Sequence, residues 1–577
     1  MTDKNYIGLA VTPHDPAICI LNTEGEIVFA QAAERYLQNK RAWHSPADDV
    51  LFVKKLIKEY CDPTKQLVLS LSWDKKYLKN RHFTNLLNRW VIEKLLGSGW
   101  LGGKKSTFAA SYHEARSVYA GFNELAGFNT EYQYYNLTTK PVIYQYNEHH
   151  LTHAAAACYS SKFKEAACAV VDGNGQGTSV NFYNFKDGKI KLIPSNSSRL
   201  GSLGIFYWFI CKGCGFEPLE GEEWKVMGLA SYGKLNEEYY AMMKDSLTID
   251  GINVKVSFKT LASIKKCLKM ARKKDTPALE YADFAYTGQY VFAEYFNKLL
   301  DGLYKACPGE NLVLAGGCAL NSSYVGTIHK NTPFKNVYVF SAPADDGNAV
   351  GAALLAYYKN NEPKVRSDIQ LPYLGSTLTK NALDRLKTYS KLNIKTDYSM
   401  QEVTQITAKL LSEGKMVGWV QGRAEFGPRA LGNRSILADP RSASVKERLN
   451  AEVKFREEFR PFAPSILHEF GDEYFEHYRE TPYMERALVF KQEVRDKVPG
   501  VVHIDGTGRL QTVKAEWNKP YYDLIKAFYA ITKIPILLNT SFNVMGKPII
   551  HSVEDALAVF FMSGLDVLVL ENNIIFK

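Results

Sequence analysis

Three histidines in five positions open the alanine-rich stretch "HHLTHAAAACYSS", His149 to Ser161. Alanine is the strongest helix former, so the stretch reads as helix, where positions i and i+4 share a face. His149 and His153 then present two imidazoles to one point while His150 looks elsewhere. That spacing suits a bidentate metal site; it equally suits two solvated or hydrogen-bonded residues at a helix mouth. A carboxylate from elsewhere in the chain would have to complete a metal site. A second concentration lies between Arg423 and Arg460, where Arg429, Arg434, Arg441, Arg448, Lys454 and Arg456 also stand. Its first arginines fall in a Gly/Pro loop, "QGRAEFGPRALGNRS". Close backbone approach alternating with guanidinium forks suits a small polyphosphate better than a long duplex. A solvated basic helix and a nucleic-acid surface are the other readings. A third candidate is His14 beside Asp15 in "TPHDPA". A carboxylate on one ring nitrogen orients the other and makes it more basic, as a base for an alcohol requires. A turn histidine with only a structural hydrogen bond would look the same.

Strands and turns must position these groups. "YIGLAVTPHD", "PAICIL" and "EIVFAQAAE" read as a three-stranded meander, and at residue 167 the theme returns in "ACAVVDGNGQGTSVNFYNF" and "KIKLIP". Two copies of strand, Asp-containing turn and strand at the heads of two halves indicate an internal duplication. Each Asp turn would face a phosphate or metal between the halves, the α/β arrangement of actin-like and sugar-kinase-like ATPases. "NLVLAGGCALNSSYVGTI" supplies a buried strand, a Gly-Gly turn and a helix suited to close approach of a nucleotide. The expected division is residues 1–365, with a less regular insertion at about 62–146, and a separate α/β domain at 376–577. The polar, proline-marked "KNNEPKVRSDIQLPYLGST" is the expected linker.

The 577 residues, 46% hydrophobic and 23% charged, are those of a soluble globular protein too long for one core. No apolar run reaches membrane-spanning length, and the N-terminus lacks the pattern of a signal peptide. A cytoplasmic protein is expected. All nine cysteines precede residue 319, and Cys211 and Cys214 form a CxxC with no second pair, so reduced buried thiols are expected rather than a zinc ribbon.

Nine stretches in order resemble the O-carbamoyltransferases of antibiotic and nodulation-factor biosynthesis, the NodU/TobZ type: "HHLTHAAAA", "VVDGNGQGTS", "EGEEWKVMGLASYGK", "GGCALN", "DDGNAVGAA", "QGRAEFGPRALGNRSILADPR", "FRPFAPSIL", "HIDGTGRLQTV" and "LLNTSFNVMGKPI". The resemblance implies an actin-like (ASKHA) N-terminal domain similar to threonylcarbamoyl transferases, and a YrdC-like C-terminal α/β domain. The latter would form carbamoyl adenylate from carbamoyl phosphate and ATP, with Mg2+ accompanying the ATP. The former would pass the carbamoyl group to an alcohol and release AMP. The resemblance implies His149, His153 and Asp345 as ligands of Fe(II) or another divalent metal such as Zn(II). It implies Arg429, Arg434, Lys454, Arg460 and Arg509 as phosphate and carbamate clamps, with Ser541 and Asn543 as neutral donors and at least one arginine bracing the loop through a carboxylate such as Glu425. Asp172, Gly173, Gly175, Gly316, Gly317 and Asn321 would line the nucleotide. Lys225 would hold a phosphate or sit in a helix-surface ion pair, and Trp224 beside it reads as core. His14, oriented by Asp15, would be the base, with Lys40 on the acceptor side.

The acceptor would be a small-molecule hydroxyl: a sugar, a polyketide or a toxin precursor. The alternative is a threonylcarbamoyl transferase acting on tRNA, which the use of the basic excess in the arginine loop disfavours; nucleic acid is therefore not expected as a partner. A non-enzymatic nucleotide-binding scaffold leaves the metal and carbamoyl-adenylate motifs unexplained. The resemblance leans towards a homodimer.

Overall fold

The computed structural model describes residues 4–75, 125–197, 201–273, 275–396 and 398–577. Strands β1 (Lys4–Ala10), β2 (Ala17–Leu21) and β3 (Ile27–Ala32) form an antiparallel meander, and β4 (Gln66–Leu71) and β5 (Val142–Tyr146) add in parallel, giving the order β3-β2-β1-β4-β5. Strands β6 (Glu165–Val171), β7 (Val180–Lys186) and β8 (Lys189–Ile193) repeat the meander. A small hairpin follows, β9 (Thr248–Asp250) with β10 (Asn253–Lys255), and then β11 (Asn311–Ala315) and β12 (Asn336–Val339). The second sheet runs β8-β7-β6-β11-β12, with β11 and β12 parallel to their neighbours. Position by position this is the first sheet again. The duplication extends from the Asp turns to the whole topology, and the first half has the duplicated α/β build of actin-like proteins.

The strand order corrects the reading of residues 62–146 as one irregular insertion. β4 and β5 lie inside that stretch and are ordinary members of the first sheet, β4 being buried along nearly its whole length. Tyr, Lys and Asn in the intervening chain masked them. Residues 76–124 of the stretch lie outside the described residues.

After the fifth strand of each copy comes a helix, His149–Ser160 in one and Asn348–Tyr358 in the other. The two pack against each other between the sheets, which gives the alanines a second purpose beyond helix propensity. Ala154 to Ala157 are all buried, and a Cβ built on Gly351 would stand 1.8 Å from the Thr152 carbonyl oxygen. Backbones this close admit no larger side chain. Gly351→Ala is expected to lower stability by about 1–3 kcal/mol or more, seen as a lower denaturation midpoint with an unchanged m-value.

The C-terminal part is one nine-stranded mixed sheet. Its strands are β13 (Asn393–Lys395), β14 (Val417–Val420), β15 (Arg434–Ala438), β16 (Ala463–Leu467), β17 (Arg486–Val489), β18 (Thr507–Val513), β19 (Ile536–Ser541), β20 (Val567–Leu570) and β21 (Asn573–Phe576). Their order is β13-β21-β20-β14-β15-β19-β16-β18-β17. The two parts share a core: Ala10, Ala154 and Phe340 belong to the same apolar cluster as Phe426, Leu431 and Tyr483. Arg35 Nη2 donates to the Gly427 carbonyl at 2.6 Å and Arg423 Nη2 to the Val28 carbonyl at 2.6 Å. The stretch read as a linker is a strap instead, because the Leu374 carbonyl accepts from the Ala30 N–H at 2.9 Å and Leu374 is buried. Among the described residues no helix is long and apolar enough to cross a membrane.

Candidate active site

Glu148 caps the His149–Ser160 helix, accepting from the N–H groups of His150 and Leu151 at 3.0 and 2.7 Å. The helix therefore begins at His149, and its pitch brings His149 and His153 to one face. The duplicate helix is preceded by the turn that carries Asp345, and β6 ends just before Asp172. Ligand atoms of His149, His153, Asp172 and Asp345 all lie within 4.8 Å of one another. His149 Nε2 is 3.5 Å from Asp345 Oδ1 and 3.9 Å from Asp172 Oδ2, and His153 Nε2 is 3.3 Å from Asp345 Oδ1. His149 Nε2 is fully buried without a hydrogen-bond partner. Burial pushes the His149 imidazolium down, yet the two carboxylates override it and lift its pKa to about 9; the pocket favours a positive charge. Asp172, expected at the nucleotide phosphates, joins this cluster, and its Oδ1 accepts from the Gly317 N–H at 2.9 Å. Trp73 stacks on His149 with centroids 4.3 Å apart, a contact no local pattern announced.

His150 does turn away. Burial holds its pKa down at about 3, its Nδ1 meets Thr178 Oγ1 at 3.2 Å, and a Cβ on Gly175 would strike its Nε2 at 2.4 Å. Gly175 thus serves the packing of the turn on His150. Around Gly173 the space is open, with nothing within 4 Å of a Cβ placed there. Gly316 has φ 88° and would put a Cβ 2.4 Å from the Val171 carbonyl oxygen, so only glycine fits. Asn321 departs from expectation: it caps a short helix through Tyr324 N–H at 3.1 Å, and its amide exchanges hydrogen bonds with Gln289 at 2.9 and 3.2 Å. Its polar atoms are engaged within the fold.

His14 lies on the other side of Asp345, Nδ1 to Oδ2 at 3.8 Å, with Asp15 Oδ2 2.9 Å from the same nitrogen. Arg41, unremarked in the sequence, reaches both: Nη2 is 2.9 Å from His14 Nδ1 and 2.9 Å from Asp15 Oδ2. The segment is held in left-handed backbone at Asp15, Gln38, Arg41, Ala42 and His44, none of them glycine. Such conformations persist where the surroundings enforce them and collect at functional sites. Lys40 stands beside this group; burial first, and then Arg460 and Arg41, lower its pKa against the pull of Glu34 and Glu222.

The arginine loop divides into two kinds of residue. Arg434 is fully buried, and its two Nη atoms donate to the carbonyls of Gln421, Asn433, Ser376 and Gly422 at 2.8–3.0 Å. It braces the loop rather than facing a ligand, which corrects its assignment as a clamp. Glu425 braces the same loop, but through the N–H groups of Leu431, Asn433 and Arg434 rather than through a guanidinium. Arg434→Met strands these carbonyls and is expected to cost more than about 3 kcal/mol of stability, measurable by chemical denaturation.

The other cations converge. Lys454 ends a π-helical turn (Leu449–Lys454) and donates to Asn543 Oδ1 at 2.8 Å and to the Asn543 and Ser541 carbonyls, so Lys454, Ser541 and Asn543 come together. Burial, with Arg456 and Arg460 adding to it, holds its ammonium well below the usual range. Arg509 is depressed by burial and then by Arg429, Arg456 and Arg460. Arg509 Nε, Arg460 Nε and Arg456 Nη2 are buried without partners. One carboxylate, Glu457, meets Arg460 at 3.1 Å. Arg456, one of the basic run between Arg423 and Arg460, joins this cluster. Trp224 is not core: half-buried, it carries the Arg460 guanidinium 3.7 Å above its ring. Lys225 pairs with Glu222 at 2.6 Å and Glu457 at 2.8 Å, the ion-pair alternative of its two readings, and joins the two parts of the chain.

The sequence family described as Carbamoyltransferase N-terminus matches residues 5–354, and Carbamoyltransferase C-terminus matches 408–577. An uncharacterized protein of Synechocystis is 35% identical over 475 residues, covering 75% of this chain and 76% of its own. Nodulation protein NolO of Bradyrhizobium diazoefficiens is 35% identical over 428 residues, 73% of this chain and 77% of that one. Among solved structures, component A of (R)-2-hydroxyglutaryl-CoA dehydratase from Acidaminococcus fermentans is 12% identical with a TM-score of 0.31, over 62% of this chain and 98% of that one. With both ends matched and relatives this similar across most of its length, the chain belongs to the carbamoyltransferase family.

Proposed function

We propose that the protein is an ATP-dependent O-carbamoyltransferase working through carbamoyl adenylate on a small-molecule hydroxyl. In the first half-reaction carbamoyl phosphate, ATP and one water become carbamoyl adenylate, pyrophosphate and orthophosphate. The C-terminal sheet, read as a YrdC-like domain, carries this step. Lys454, Arg429, Arg456, Arg460 and Arg509 offset the repulsion between two polyanions, and Ser541 and Asn543 add neutral contacts. Such fixed charges act where charge develops and need no reorganisation.

In the second half-reaction the acceptor oxygen bonds to the carbamoyl carbon, the bond to the adenylate oxygen breaks, AMP leaves, and the hydroxyl proton passes to His14. For Nε2 to be free as the base, Nδ1 carries its hydrogen towards Asp15, and Arg41 Nη2, which lies 2.9 Å from both, donates to the Asp15 carboxylate rather than to the ring. His149, His153, Asp345 and Asp172 would hold a divalent metal, Fe(II) in this reading, which supplies Lewis acidity to an oxygen ligand. The donor set fits: a buried unpartnered nitrogen, a second imidazole and two carboxylates that attract positive charge.

The observation that carries the reading is Arg460. It belongs to the C-terminal cation cluster, lies on Trp224 of the N-terminal part, and acts electrostatically on Lys40 beside the His14 group. On this reading Arg460 links the two sites, so a hydrolysable anhydride made at one would have only a short way to travel to the other. The test supplies metal, ATP, carbamoyl phosphate and a panel of alcohols while pyrophosphate and AMP are followed together. Pyrophosphate that forms only with carbamoyl phosphate, with AMP rising for particular alcohols, is the expected result. Absence of carbamoyl-phosphate-dependent pyrophosphate overturns it.

A further inference from the structure

Asn348, the first residue of the second-copy helix, is fully buried between the two candidate metal histidines. Its Nδ2 lies 3.1 Å from His153 Nε2 and 3.5 Å from His149 Nδ1. Its Oδ1 is buried and has no partner. His153 Nδ1 lies 3.2 Å from the Pro343 carbonyl, to which it donates, leaving Nε2 as the nitrogen that can meet a cation. The Asn348 amide thus stands between the far nitrogen of His149 and the near nitrogen of His153, while Asp345 and Asp172 lie 3.5 and 3.9 Å from His149 Nε2.

We propose that Asn348 is a positioning residue for the metal cluster, its side-chain oxygen accepting from His149 Nδ1–H when a cation is bound. That hydrogen bond leaves His149 Nε2 as the nitrogen that ligates and turns the amide N–H away from His153 Nε2. An oxygen in that place is repelled by the His153 lone pair unless a cation draws on that pair. Cation binding and amide orientation therefore favour each other. Partners on the far nitrogen of a ligating histidine set its tautomer and its basicity.

The proposal rests on the metal reading of the cluster, and two sets of measurements keep them apart. Zn(II) and Co(II) affinities are measured by competition with a chromophoric chelator on the full chain. His153→Ala tests the cluster: unchanged affinity there overturns the metal reading itself. Asn348→Leu keeps the shape and removes both amide arms, and a 10- to 100-fold loss of affinity, about that of other outer partners, is expected. Asn348→Asp offers oxygen on both arms and should bind at least as tightly as the wild type. Equal weakening in Asp and Leu variants, or none in Leu, overturns the proposal. Charge alone could assist the Asp variant, so a readout without substitution is added. In Zn(II)-loaded wild type with 15N-labelled imidazoles, His149 should show a slowly exchanging Nδ1–H with the metal on Nε2. Metal on Nδ1, or a rapidly exchanging Nδ1–H, also overturns it, whether or not the variants fold.

Discussion

Arg509→Ala is expected to slow carbamoyl-phosphate-dependent pyrophosphate formation on the order of 10²- to 10³-fold, the usual cost of one preorganised donor. Folding should be unharmed. Arg509 is pressed by Arg429, Arg456 and Arg460, and its Nε has no partner, so the fold gains little from it. Removing one of several crowded like charges should leave the ligand-free protein as stable as before, or more so, the trade between stability and function common at active sites. The stabilisation conferred by ATP should shrink in the same variant, because ligand stabilisation follows affinity. A purely structural arginine would behave oppositely, with a fall in midpoint and unaltered kinetics in the protein that remains folded. Arg434→Met supplies that contrast from the same loop. If Arg509→Ala lowered the denaturation midpoint and left pyrophosphate formation intact, the clamp assignment would be wrong.

Arg434 and Arg509 also show where reading the chain stops. Both are arginines in stretches with the family's pattern, and residue type cannot tell a guanidinium ringed by carbonyls from one facing an open cluster. That distinction arises only when β15 is laid against Ser376 and the 421–422 turn. The His149/His153 pair was legible because helical pitch is a local property. The meander duplicated around Asp15 and Asp172 was legible because strand, turn and strand repeat within a few residues, and each Asp turn had been read as facing a phosphate or metal. Arg41, Trp73 and Asn348 were not legible. Asn348 meets His149 and His153 because the duplicate helices pack against each other, nearly two hundred residues apart in the chain. Trp73 meets His149 because β4 is parallel to β5, and β4 was hidden in the stretch taken for an insertion. Pairing of the two copies built the contacts; no local spacing encodes them.

His14→Ala should separate the two half-reactions. Transfer of the carbamoyl group from supplied carbamoyl adenylate to an alcohol is expected to fall on the order of 10²- to 10⁴-fold, the range for loss of a positioned general base. Pyrophosphate formation should be unchanged, since the proposal assigns it to the arginine cluster and Lys454 and places His14 at the other site. Asp15→Asn should give a smaller loss in the same step, because the carboxylate 2.9 Å from Nδ1 sets the ring's orientation without meeting the acceptor. A leak should accompany both variants: adenylate made at the normal rate but not transferred will be hydrolysed, so AMP should appear without carbamoylated product. Full transfer by His14→Ala would remove the base assignment and leave Lys40, whose ammonium burial already disfavours, as the group nearest in kind. Loss of both half-reactions together would mean something different. His14 is 3.8 Å from Asp345 and shares Arg41 with Asp15, so that result would show the left-handed segment from Gln38 to His44 to be part of the adenylate site as well.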